Sequence, residues 1–254
     1  MLDDIVAATR RRLAGVIAAE PALRERCSLA PPARDLTGAL RSPGLSVIAE
    51  FKRRSPSVGP ISDGDPGSTA ASYERGGAAA LSVLTEPDYF GGDPDDLRRA
   101  RRVTGLPALR KDFTLHPAQV WEGRAMGGDA VLAIVALLDD VTLAAILAAG
   151  REAGVAVLVE AHDAAEVARA AAAGAGVVGV NNRDLSTFEV DVSTAERLRS
   201  LIPDGVVTVA ESGVSTPETA ARMAQAGYDA ILVGEAAMRA VDPAAFVRSL
   251  REAA

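Results

Sequence analysis

Apolar positions in this chain cluster in short β-branched runs, and between the runs they return every third or fourth residue, the spacing of one helix face. The runs predict strands at 46–50, 79–84, 107–111, 130–136, 155–160, 177–181, 206–211 and 230–233. The intervening stretches predict helices at 65–77, 93–105, 116–128, 139–154, 161–174, 191–202 and 215–227. Several of these begin at Asp, Ser or Thr beside a Pro or an acid, and most finish at Gly, as helix caps require. Eight strands alternating with helices, at intervals near one-eighth of a barrel of about 250 residues, predict an α/β fold, a single (β/α)8 TIM barrel.

Residues 1–45 are extra to that pattern. Segment 2–19 has helical periodicity, and Pro21 is expected to stop it, leaving a helix that lies against the barrel. No composition shift or linker marks a second domain. Residues 1–254 are therefore expected to form one domain, with a helical extension at 1–45 and eight βα units at 46–254.

Composition narrows the function classes. With 48% hydrophobic residues the chain can bury a large core, and a net charge of 27 − 34 = −7 argues against binding a nucleic-acid backbone. The arginine runs at 10–12 and 98–102 read as solvated helix faces; the second follows Asp93, Asp95 and Asp96, so acid opens that helix and base closes it. Cys27 is the lone cysteine, which precludes an intrachain disulfide and suits a reducing compartment. Nothing resembles a signal peptide or an uninterrupted apolar span of membrane length, so a cytoplasmic protein with no membrane partner is expected. Glycine-rich nucleotide loops and His/Cys clusters at metal spacing are missing, so neither cofactor nor metal is expected.

Of the 27 basic residues only Lys52 and Lys111 are lysines, and each sits where an apolar run ends. An ammonium is a compact charge with a transferable proton, whereas a guanidinium stays protonated. In a barrel the C-terminal strand ends share one mouth. Glu50, Lys52, Lys111, Glu160, Asn181, Glu211 and Ser212 would meet there, and Glu50 and Lys52, two apart, face the same side. Mutual pKa shifts and proton transfer would follow. Gly213 and Gly234, after the seventh and eighth strands, mark places where backbone N–H groups could bind a phosphate. Phe90 and Phe113 lie just beyond strands two and three, covering either the core or a flat ligand. His116 and His162 read as surface or capping residues, and Trp121 and Met126 as packing residues.

The segments IAEFKRRSPSVGPI, LSVLTEPDYFGG, LPALRKDF, VLVEAHD, GVNNRDLSTFEVD, AESGV and ILVGEAAM resemble, in order, the indole-3-glycerol phosphate synthase family. The resemblance implies a lyase of tryptophan biosynthesis that closes the ring of 1-(2-carboxyphenylamino)-1-deoxyribulose 5-phosphate with loss of carbon dioxide and water. It implies Lys111 as general acid, with an ammonium of lowered pKa expected, and Glu160 as its partner in later proton transfers. Lys52 would hold a substrate carboxylate or phosphate and act as a second acid. Glu50 and Glu211 would flank them, and Asn181 would orient a substrate hydroxyl. Substrate contacts are implied at Ser55, Phe90, Leu132, Arg183, Leu185 and Ser212, with Phe113 against the anthranilate ring. Phosphate contacts are implied at Lys52, Gly213, Gly234 and Glu235. Glu235 stands where many relatives carry a small residue, so its backbone N–H is expected at the phosphate and its carboxylate turned away, since it would repel the anion. The partners implied are a small phosphorylated substrate and, loosely, other tryptophan-pathway enzymes. A related phosphate-binding barrel, phosphoribosylanthranilate isomerase, is the alternative among enzymes, and a catalytically silent subunit the alternative outside them. Two lysines with three strand-end glutamates argue against the isomerase, and intact Lys52, Lys111 and Glu160 against the silent subunit.

Overall fold

Along each strand the side chains alternate between two apolar surroundings, and that alternation carries the architecture. A computed structural model describes every residue except Ser57, Ser186 and Ala254. Strands β1 (Ser46–Phe51), β2 (Ala80–Leu84), β3 (Ala108–Lys111), β4 (Ala130–Ile134), β5 (Ala156–Ala161), β6 (Val177–Asn181), β7 (Val207–Glu211) and β8 (Ala230–Val233) form a closed parallel barrel. β1 pairs with both β2 and β8, which closes the ring. Ile48, Leu109, Leu132, Leu158, Val209 and Leu232 fill the interior, while Val47, Val83, Val131, Val159, Val180 and Ile231 pack outward under the helices. Burial on both faces is why these strands read as continuous apolar runs.

Helices Pro66–Arg75, Pro94–Val103, Ala118–Ala125, Asp140–Ala153, Ala164–Ala172, Ser193–Leu198 and Pro217–Gln225 follow β1 to β7, each within its predicted segment, and Pro243–Glu252 completes the eighth unit. Asp65, Asp93, Asp139 and Asp163 accept hydrogen bonds from first-turn N–H groups, the chemistry their positions foretold. The fourth strand ends two residues earlier than predicted, because Val135–Leu137 turns into a 3-10 segment. A short helix, Leu36–Leu40, inserts Leu36 and Leu40 into the interior apolar cluster beside the start of β1, where Ser46 Oγ donates to the Leu40 carbonyl. The short helix thereby plugs the N-terminal end of the barrel, opposite the strand ends that carry the charged residues.

The leading helix does not stop at Pro21. It runs over Leu2–Leu29 with the proline inside it. A proline there forfeits its bond to the Ile17 carbonyl and costs about 3 kcal/mol or more. Contacts beyond the proline offset that cost: Arg24 lies over the Trp121 ring at 4.2 Å and pairs with Glu152 at 2.5 Å, and buried Cys27 donates from Sγ to the Trp121 carbonyl. Packing on the Ala118–Ala125 helix overrides the local rule. No helix among the described residues is long and apolar enough to cross a membrane.

Candidate active site

The same two-residue period that fills the barrel carries on to the strand ends and there delivers charge. Above Ile48, Leu109, Leu158 and Val209 stand Glu50, Lys111, Glu160 and Glu211, each two residues further along its strand. They open into a cavity of about 550 Å³ at the C-terminal end of the barrel. Every residue the sequence put forward for the site lines it: those four with Lys52, Asn181 and Ser212, the phosphate candidates Gly213, Gly234 and Glu235, and Ser55, Phe90, Phe113, Leu132, Arg183 and Leu185.

Lys111 is the hub. Its Nζ lies 2.6 Å from Glu211 Oε2 and 3.0 Å from Glu160 Oε2. Burial works against the ammonium, but the Glu160 and Glu211 carboxylates outweigh it and hold Lys111 charged, above the ordinary lysine value. The expected lowering is therefore overturned: two carboxylates reach this ammonium at once. Burial alone would also protonate Glu160, yet Lys111, His162 and Asn181 keep it ionised, well below the usual carboxylate range. Glu211 goes the other way. Burial pushes it up to about 7, with Glu160 and Glu50 reinforcing the shift and Lys111 opposing it. Two buried carboxyls on one lysine are thus separated in proton affinity, the arrangement that acid and base work needs.

Around this hub the other groups are held in place. Lys52 Nζ pairs with Glu50 Oε1 at 2.9 Å, and buried Ser82 donates to the other oxygen of Glu50 at 3.0 Å. Glycine at 234 leaves the Glu50–Lys52 pair its room: a Cβ there would come within 2.5 Å of Glu50 Oε1 and 2.9 Å of Lys52 Nζ, so both side-chain ends would have to shift. Asn181 Nδ2 donates to Glu160 Oε1 at 2.9 Å, and its own Oδ1 accepts from the Arg183 N–H at 3.0 Å. Arg183 turns its guanidinium to the Phe188 carbonyl. Ser212 and Gly213 have φ of 61° and 77°, so the chain after β7 makes a left-handed turn that is strained for the serine.

The cavity has a flat apolar end and a polar end. Phe90 and Phe113 stand with ring centroids 6.2 Å apart, both on the cavity wall, and Phe113 also packs on the interior cluster, so it serves core and pocket together. Asp112, gripped by Arg110 at 3.0 Å, accepts from the Phe113 N–H and fixes that turn. At the polar end the Glu235 carboxylate accepts from Arg239 Nε at 3.0 Å.

The family model described as indole-3-glycerol phosphate synthase matches residues 2–250. The chain belongs to the indole-3-glycerol phosphate synthase family. It is 48% identical over 258 residues to the synthase of Kineococcus radiotolerans, covering 98% of this chain and 94% of that one. It is 50% identical over 232 residues to synthase 2 of Streptomyces coelicolor, covering 91% and 90%. A thiamine phosphate pyrophosphorylase from Pyrococcus furiosus shares the fold, with a TM-score of 0.61 at 16% identity over 86% of this chain and 97% of that one. Family membership makes the chain a carboxy-lyase of tryptophan biosynthesis that converts 1-(2-carboxyphenylamino)-1-deoxyribulose 5-phosphate to indole-3-glycerol phosphate.

Part of the wall, and one neighbour behind it, escaped the sequence. Met1, Leu2 and Ile5 of the leading helix line the cavity, which no local pattern signals. His162 lies 3.3 Å from Glu160 Oε1 rather than serving only as a cap. A signal for it existed, since His162 follows Glu160 by two, the spacing that linked Glu50 with Lys52. His116 does cap, its Nδ1 accepting from the Ala118 N–H.

Proposed function

We propose that Lys111 donates the proton that makes ring closure possible. The substrate's carboxylate-bearing ring carbon attacks the ketone, and the carbonyl oxygen becomes a hydroxyl as it takes the Lys111 proton. Carbon dioxide then leaves and the ring regains aromaticity. Loss of that hydroxyl as water, with a proton from the adjacent CH2, completes the indole. Glu160, ionised beside Lys111, accepts a proton in this second phase. Glu211, near 7, can return one to the departing hydroxyl.

The observation that carries this reading is the Lys111 ammonium bridging two buried carboxylates of unequal proton affinity. A lysine held charged still protonates an oxygen becoming an alkoxide, a far stronger base. Lys52 with the backbone N–H groups of Gly213, Gly234 and Glu235 binds the phosphate, Glu235 keeping its carboxylate on Arg239. Phe90, Phe113, Leu132 and Leu185 enclose the anthranilate ring, while Ser55, Arg183 and Ser212 contact the sugar and phosphate. Glu50 holds Lys52 in place, and Asn181 orients a substrate hydroxyl. The chain works in the cytoplasm as one domain without metal or cofactor, loosely associated with other enzymes of the pathway.

The test is to supply the synthetic substrate without added metal and follow indole fluorescence for wild type and the Glu160→Gln variant. Turnover by wild type and loss of about a hundredfold or more in E160Q are expected. Near-normal turnover in E160Q would remove Glu160 from the proton transfers.

A further inference from the structure

His162 sits just past the end of β5, between two carboxylates. Its Nε2 lies 3.3 Å from Glu160 Oε1 and has no aligned hydrogen-bond partner among the described residues. Its Nδ1 lies 3.0 Å from Glu166 Oε2, and the same oxygen accepts the His162 backbone N–H at 2.7 Å. Glu166 is fixed in turn, for its own N–H is capped by Asp163. The imidazole is thus clamped from behind, with its second nitrogen directed at the carboxylate paired to Lys111. Oε2 of Glu160 takes the lysine, and Oε1 takes Asn181 and His162.

We propose that His162, clamped as an imidazolium by Glu166, is a positioning residue that keeps Glu160 ionised and aligned with Lys111 for the proton transfers after ring closure. A carboxylate oxygen lies near each ring nitrogen, so only the doubly protonated ring presents an N–H and a positive charge to both, and neither neutral tautomer does. Burial disfavours that charge, but Glu160 and Glu166 overcome it and hold the imidazolium at neutral pH, its proton affinity raised to about 10. The charged groups facing His162 are Glu160 from its own strand and Glu166 from the following helix. Lys111 acts on the far oxygen of Glu160, and Arg183, beyond Asn181, is directed to the Phe188 carbonyl. Without His162 the buried Glu160 would lose one of three contacts that favour its charged form.

The inference rests on Glu160 acting in the proton transfers, so the experiment separates the two. Steady-state turnover is measured from pH 3 to 9 for wild type, His162→Ala and Glu166→Gln, with circular dichroism reporting the fold at each pH. In H162A, kcat is expected to fall about ten- to a hundredfold at pH 7, with KM changed less than about threefold. The acidic limb of kcat, which reports Glu160 once Lys111 has given up its proton, should move up by about one pH unit, and added imidazole should restore part of the turnover. E166Q keeps the ring but removes its second charge partner, so it should shift the limb the same way by less, and it carries the test if H162A does not fold. An acidic limb that stays where wild type has it in the folded variants would overturn the role of His162. If E160Q also retains turnover, the reading of Glu160 fails as well; if E160Q is inactive, only the positioning role fails.

Discussion

At the residue scale the two lysines are distinguished by their surroundings. Lys52 faces one carboxylate, Glu50, while Lys111 faces two on separate strands. Replacing Lys111 by Arg keeps the charge but removes the transferable proton, so a folded protein with kcat lower by at least about a hundredfold is expected from steady-state assays. Near-normal turnover would place the acid elsewhere. A second prediction concerns stability. The folded proton affinity of His162 is raised from 6.5 to about 10, so the stability it contributes is fully present below pH 6.5 and is lost as pH rises toward 10. The melting temperature of His162→Gln should therefore fall furthest below wild type at pH 6 and converge on it by pH 10. A gap that widens with pH would contradict the imidazolium assignment. The direction of the Lys111 shift could not be read from sequence: Glu160 and Glu211 lie 49 and 100 residues away, and only closure of the barrel brings both to one nitrogen.

At the element scale, the strands and helices were legible because the chemistry that ends them is local. Apolar runs stop where charge begins, and Asp or Thr caps precede the helices they start. The candidate site was legible for the same reason, since strand ends of a barrel share a mouth. Pro21 shows where local rules give way, because the packing that carries the helix past it comes from Trp121 and Glu152, a hundred or more residues downstream. The proline remains a cost within the helix. Pro21→Ala should raise the melting temperature by several degrees, as about 1–3 kcal/mol would in a chain of this size, with turnover unchanged. No rise in a thermal scan would mean that the helix already relieves the proline elsewhere. The opposite case is Gly234, where an added Cβ intrudes on Glu50 and Lys52. Gly234→Ala should leave the fold intact and raise KM by about tenfold or more in steady-state assays; an unchanged KM would remove this corner from substrate binding.

At the scale of the whole molecule, the leading helix joins the mouth to the outside of the barrel. Its first turn supplies Met1, Leu2 and Ile5 to the cavity wall, and its far end packs on the Ala118–Ala125 helix. Between them Arg12 reaches over to the loop after β2, pairing with Asp88 at 2.5 Å and approaching Glu86 at 3.5 Å. Glu86 is fully buried and accepts the N–H groups of Asp88, Tyr89 and Phe90, so the short helix that carries Phe90 hangs on this carboxylate. Arg12 is half-exposed, so its pairs contribute at most about 1 kcal/mol to stability, and Glu86 keeps its backbone bonds when the arginine is lost. What Arg12 changes is how firmly the Phe90 wall and the leading helix hold each other across the cavity. Arg12→Ala should therefore melt within a few degrees of wild type yet raise KM by about three- to tenfold, with kcat within about twofold, a loss of binding that ground and transition states share. High salt should narrow the difference between the two proteins, because the ion pair it removes is screened in wild type as well. Steady-state kinetics at low and high ionic strength check both parts, and a KM that does not move in R12A would mean that the helix and the Phe90 loop form the cavity wall independently.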